Sequence, residues 1–215
     1  MERPPTKAAR ARQVIERLGE AHPEEVTALA YGSPLQLMVA VVLSAQCTDV
    51  RVNQVTPALF ARYPTVEDLA RASQSELEGL IRSCGLYRNK AHALIAACQA
   101  ISRSGGEVPT GRAALALLPG IGNKSAGVIS MHLSEERALP VDTHVARLAF
   151  RLGFSTAERP DEIEKDLRAL LPPALWKAAH HRLIWHGRRF CTARSPRCLE
   201  CPVRSLCPRR GLAPL

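Results

Sequence analysis

Two groups of residues in this 215-residue chain have the types and spacing to do chemistry. The first is Lys124 in "LPGIGNKSAGVIS", residues 118–130, followed 18 residues later by Asp142 in "PVDTHV". Gly120 and Gly122 predict a tight turn, and the apolar run after them predicts a helix. Lys124 then falls in the first turn of that helix, where the macrodipole disfavours a cation. A lysine attacks carbon only as the neutral amine, and its ordinary pKa of about 10.4 keeps it charged. Desolvation and a positive helix end both favour the neutral form, so the awkward position suits a nucleophile. Asp142 precedes the next helix and reads equally as its N-cap. The two roles are compatible, because a capping carboxylate stays ionised and faces a developing cation.

The second group is Cys191, Cys198, Cys201 and Cys207, spaced C-x6-C-x2-C-x5-C within 17 residues. Four thiolates this close suggest a tetrahedral metal site or an iron–sulfur cluster. C-x2-C occurs in many zinc sites, and the spacing matches no ferredoxin pattern, so both readings stay open. Arg194 and Arg197 lie between the first two cysteines, and a metal pinning that loop would present them to phosphates. Arginines here could equally be a solvated surface. The remaining Cys47, Cys84 and Cys98 fall in helical patterns and read as small buried hydrophobes. Seven cysteines with a clustered quartet point to a reducing compartment rather than a secreted disulfide framework.

Charge narrows the partner. The net charge is +9, and the two ends carry all the excess: residues 1–17 are net +3 and residues 181–215 net +7. Such ends favour a polyanion, nucleic acid above all. The turn before Lys124 supplies a place to hold one. Backbone N–H groups around Gly120, Gly122 and Lys124 lack helical partners and form an anion site suited to a phosphate. Such a contact carries no sequence information. Two loop tips extend the reading: Gln46 in "LSAQCTDV" and Leu86 in "CGLYRNKA". A base inside a duplex must be flipped out before chemistry reaches it, and a polar amide and an apolar wedge could fill the gap. Each is otherwise an ordinary helix-end Gln and core Leu.

The elements that must position these residues are helices almost throughout. Thr6 caps a helix over about 7–19, and Ser33-Pro34 starts an all-round apolar helix, "LQLMVAVVLSAQ", that should be buried. Thr48-Asp49 opens the next. Thr65 with Asp68, and Ser75 with Glu78, are capping-box patterns. Helices follow at about 88–103 (stopped by Gly105-Gly106), in "RAALALL" and "NKSAGVISMHL", from Asp142 to about Leu152, and at about 161–170 and 174–188. No period-2 alternation of useful length appears, so the fold class is all-α. No apolar run is long enough to span a bilayer, and "MERPPTKAARAR" has no apolar h-region, so the expectation is a cytoplasmic protein.

Taken together and in order, these pieces resemble the endonuclease III family of base-excision repair glycosylases. The resemblance rests on "SPLQLMVAVVLSAQCTDV", "GLYRNKA", "GEVP", "LPGIGNKSA", "PVDTHVARL", "HHRLIWHGRRFC" and the cysteine spacing, and it covers nearly the whole chain. It implies a two-domain helix-hairpin-helix fold. Residues 27–138 would form a six-helix barrel, and residues 1–26 with 139–215 a domain holding a [4Fe–4S] cluster on the four cysteines. DNA would cross between the domains. Lys124 would be the nucleophile, Asp142 its acidic partner, Gln46 the filler of the flipped-base gap and Leu86 the opposite-strand wedge.

The implied reaction is that of a bifunctional DNA glycosylase/AP lyase. It removes oxidised pyrimidines of the thymine glycol type through a Schiff base, then cleaves 3′ to the abasic site by β-elimination. The implied partner is double-stranded DNA containing damaged pyrimidines or abasic sites, met by a nucleoid-associated monomer. Asn123 departs from a common basic residue, Cys47 from a common alanine and Trp185 from a common aliphatic one. They bear on substrate range and rate. Two rivals stand beside this reading. Monofunctional adenine glycosylases usually lack the lysine, so Lys124 argues against them; a catalytically silent lesion-binding protein would keep the motifs but form no covalent adduct.

Overall fold

Local capping chemistry starts five of the eleven described α-helices. The computed structural model describes residues 5–23, 27–134 and 138–213, and all regular structure among them is helical. Thr6 caps α1 (Lys7–Ala21), Ser33 caps α2 (Pro34–Ser44) and Thr48 caps α3 (Asp49–Arg62), each side chain accepting from a backbone N–H three residues on. Thr65 and Asp68 form the full reciprocal capping box of α4 (Val66–Ala70). The second expected box does not form. Helix α5 (Gln74–Ile81) begins earlier, with Ser73 at the cap and no side-chain cap bond. Ser75 instead meets the Ser73 hydroxyl, and Glu78 accepts from the Gln74 amide, so local partners outcompete the box.

A 3₁₀ turn, Arg82–Cys84, leads into α6 (Tyr87–Arg103), then α7 (Arg112–Ala116) and α8 (Asn123–Leu133). Asp142 caps α9 (Thr143–Arg151), and α10 (Pro160–Leu170) and α11 (Trp176–Arg189) follow. Short 3₁₀ turns at Cys198–Glu200 and Arg204–Leu206 shape the cysteine segment.

The chain divides into two compact units, Met1–Val26 with Arg137–Leu215, and Thr27–Glu136. Residues 24–26 and 135–137, beside both junctions, lie outside the described residues, as does Arg3 of the basic N-terminus. In the Thr27–Glu136 unit, α2 packs against α3, α6 and α8. Leu37, Met38, Val39, Ala40 and Leu43 of α2 are fully buried. A helix buried all round explains its lack of amphipathic pattern. Fully burying each large apolar side chain stabilises by roughly 1.5–3 kcal/mol. In the other unit, the apolar stripe of α1 (Ala11, Val14, Ile15, Leu18) shares a core with Leu148 of α9, Leu167 of α10 and Leu183 of α11.

The hairpin from α7 to α8 is seated by one close approach. Gly120 has φ +75°, and a Cβ there would lie 2.3 Å from the Ala93 Cβ on α6. Gly122 has φ −75° and nothing within 4 Å of its Cβ position. The two glycines therefore do different work: Gly120 lets the backbone touch α6, whereas Gly122 leaves open space at the start of α8. Gly120→Ala is expected to cost about 2–4 kcal/mol of stability, from left-handed strain plus overpacking. Gly122→Ala should cost about 1 kcal/mol or less. Denaturant midpoints of the two variants check the contrast.

Candidate functional site

Helix α8 starts without a side-chain cap. Its N-cap is Gly122, and the first backbone N–H engaged is that of Ala126, bonded to the Gly122 carbonyl at 2.9 Å. The amides of Asn123, Lys124 and Ser125 precede that bond, at the positive end of the helix dipole. Lys124 is exposed in this first turn. Asn123, the departure from a basic residue, accepts at Oδ1 from Nε of Arg112 at 3.1 Å. Arg112 opens α7, so its guanidinium is brought to the hairpin from the preceding helix. Sequence reasoning missed it; the available signal was an arginine directly after Gly111, at the start of the helix that leads into the turn.

Asp142 accepts the Val145 N–H at 2.8 Å, so its capping role holds. Its neighbour His144 is pushed below its ordinary pKa, first by burial and then by the charges of Arg147 and Arg188, with Asp142 opposing. Lys124 belongs to the Thr27–Glu136 unit and Asp142 to the other.

Gln46 and Leu86 stand on tips with unusual backbones. Both are exposed, and both have left-handed φ, 54° and 45°. Non-glycine residues rarely adopt this region, and such strain concentrates at functional positions. Leu86 is 54% exposed, an apolar side chain held out in water rather than a core residue. Cys84 and Cys98 are buried, as expected, but Cys47 is half-buried and lies beyond the end of α2. Its position follows from that of Gln46, because the chain has already left the helix.

The four cysteines line a small hollow of about 30 Å³, partly open to solvent and shared with Leu148, Leu152, His186 and Phe190. Zinc, at about 2.3 Å from each sulfur, needs its thiolates nearly in contact. A larger iron–sulfur cluster suits thiols set around a space. Burial pushes the Cys201 thiol up to about 11, with the other three cysteines adding to the rise, and raises Cys207 as well. Deprotonating these two therefore calls for a cationic centre beside them.

Buried and half-buried polar groups surround the cysteines, and the sequence pattern showed none of them. Arg151, 9% exposed, donates to the carbonyls of Thr192 (2.7 Å) and Ala193 (2.9 Å) and approaches the Cys191 sulfur at 3.3 Å. Arg147 holds the Cys191 carbonyl at 3.1 Å. His186 is pushed down to about 4 by burial and by His22, so it is neutral. Its Nε2 lies 3.4 Å from the Cys201 sulfur and its Nδ1 3.2 Å from His22. With a thiolate at Cys201, Nε2–H would donate to sulfur and Nδ1 accept from His22.

Some of the terminal charge is spent inward. Arg10 bonds the carbonyls of Leu152 (2.7 Å) and Leu206 (2.9 Å). Arg197 bonds the Arg189 carbonyl at 2.6 Å and lies over Phe190. Arg194 is exposed. Trp185 is flanked by Arg188 and Arg189, whose guanidiniums lie 5.6 and 4.8 Å from its ring centre.

A helix-hairpin-helix and a four-cysteine loop in one chain define a class. Residues 39–173 match the family model of HhH-GPD superfamily base excision DNA repair proteins, and residues 191–207 match that of the iron-sulfur binding domain of endonuclease III. The endonuclease III of Synechocystis sp. is 45% identical over 205 residues, 94% of each chain. A solved non-covalent endonuclease III–DNA complex superposes with TM-score 0.89 at 41% identity, covering 94% of this chain and 95% of that one. A trapped endonuclease III–DNA covalent intermediate superposes at 0.87 and 41%, covering 93% and 96%.

The chain belongs to the endonuclease III family. It is a base excision repair DNA glycosylase and AP lyase with a [4Fe–4S] cluster. The residues fit that cluster, and Cys191, Cys198, Cys201 and Cys207 would hold it. Arg151→Leu should lose iron and stability together, by roughly 2–4 kcal/mol, because several carbonyls lose a charged donor. Iron content per chain and the thermal midpoint, read side by side, check this.

Proposed function

We propose that Lys124 is the nucleophile and Asp142 its electrostatic partner, acting on oxidised pyrimidines in double-stranded DNA. The observation that carries the reading is the uncapped start of α8, with Lys124 exposed in its first turn. The open amides of Asn123, Lys124 and Ser125 bind one phosphate, with Gly120 and Gly122 shaping the turn and Arg112 adding charge. Arg194 contributes a second phosphate contact, and Arg197 acts chiefly by holding the loop. Gln46 fills the place of the extruded base, and Leu86 separates the opposite strand.

Chemistry then follows from balance of bonds and protons. The Lys124 amine attacks C1′ as the bond to the damaged base breaks, and the base departs with a proton. Asp142 stabilises the positive charge growing on the sugar. Opening of the ring gives a Schiff base, which makes the C2′ proton acidic. Its removal breaks the C3′–O bond, and water releases Lys124. Because Lys124 is exposed in the free chain, its desolvation comes with DNA. The protein acts as a monomer among the nucleoid; no described helix is long and apolar enough to cross a membrane.

Borohydride trapping on abasic-site DNA tests the lysine. The native chain should give a covalent adduct and Lys124→Ala none, with duplex affinity retained within a few-fold. Absence of adduct from the native chain would overturn the lyase assignment to Lys124. Asp142→Asn should keep the helix cap and slow single-turnover excision by roughly 100-fold or more.

A further inference from the structure

Lys90 occupies a costly position. It lies near the start of α6, at the positive end of that helix, and is 5% exposed. Its ammonium donates to the Leu43 carbonyl at 2.8 Å and to the Cys84 carbonyl at 2.6 Å. Leu43 is in the last turn of α2, where the helix dipole is negative and carbonyls lack helical partners. Cys84 closes the 3₁₀ turn before α6.

These two carbonyls sit at the bases of the two strained tips. Gln46 is three residues beyond Leu43, and Leu86 two beyond Cys84. The tips also approach one another directly, for a Cβ on Gly85 would lie 4.0 Å from the Gln46 carbonyl oxygen. One buried ammonium thus ties together the two segments that carry Gln46 and Leu86. Burial lowers the Lys90 pKa, and the nearby Cys47 and Cys84 thiols oppose that shift.

We propose that Lys90 is a positioning residue for base extrusion, fixing the Gln46 and Leu86 tips at one spacing so that they enter the duplex as a unit. The inference rests on the reading that both tips contact DNA. A lysine serves here because three donors on one charge satisfy carbonyls from two directions. A methionine would fill the space and leave both carbonyls without their donor.

The test uses holoprotein with full iron content and compares Lys90→Met, Lys90→Gln and the native chain, each also in a Gln46→Ala/Leu86→Ala background. Lys90→Gln retains an uncharged donor, so a folding loss in Lys90→Met leaves a usable variant. Single-turnover excision from a thymine glycol duplex should fall roughly 10- to 100-fold in Lys90→Met and less in Lys90→Gln. Affinity for undamaged duplex should change less than about twofold. In the background lacking both tips, the Lys90 substitution should add less than about threefold, because nothing is left to position. An undiminished effect in that background, or an equal loss of undamaged-duplex affinity, would overturn the positioning role. If removing the two tips leaves excision unchanged, their assigned contact with DNA fails instead.

Discussion

The first two turns of α6 are the reference frame of the Thr27–Glu136 unit. Leu86 is the residue from which the helix starts, Lys90 reaches the end of α2 beside Gln46, and Ala93 receives the backbone of Gly120. Three separate segments are therefore registered against about two turns of one helix. The contacts are of different kinds: a left-handed cap, a buried ammonium on two carbonyls, and a backbone approach that excludes any Cβ. None tolerates much displacement, since each is short-range and sterically or electrostatically directed. The exposed Lys124 inherits its place from the hairpin that Gly120 seats.

The cysteine-bearing unit is ordered by a different device. Its arginines face inward as much as outward. Arg10, Arg147 and Arg151 donate to carbonyls of the segments around the cysteines, and His186 links one sulfur to His22 of the N-terminal segment. A loop with little apolar content of its own is thus held by charged donors anchored on α1 and α9. The basic ends pointed to a polyanion partner, and a charge count places Arg10 on that surface although it donates inward. A charge sum carries no information about direction, and long arginine side chains reach carbonyls far along the chain.

Two uncapped or capped helix starts show how similar sequence signals diverge. Asp142 fills its own helix start by accepting the Val145 N–H, while Gly122 leaves the start of α8 open. The sequence signals for both were legible: a capping carboxylate at one, a glycine turn at the other. The expected box at Ser75 failed because Ser73 and Gln74 offered nearer partners. Capping patterns compete over two or three residues, and side-chain geometry decides among them.

By itself the sequence determined the all-helical class, most helix starts, the hairpin with its lysine, and the four cysteines, because these depend on local periodicity, capping and spacing. It left cluster and single zinc ion open on spacing alone; the match of residues 191–207 to the iron-sulfur binding domain of endonuclease III decides for the cluster. Tertiary structure also decided the positive φ of Gln46 and Leu86, the delivery of Arg112 to Asn123, the inward turn of Arg151, and the bridge from Lys90. The last three involve residues between 6 and 47 positions apart in the chain, brought within bonding distance by packing of helices whose order in space no local pattern encodes.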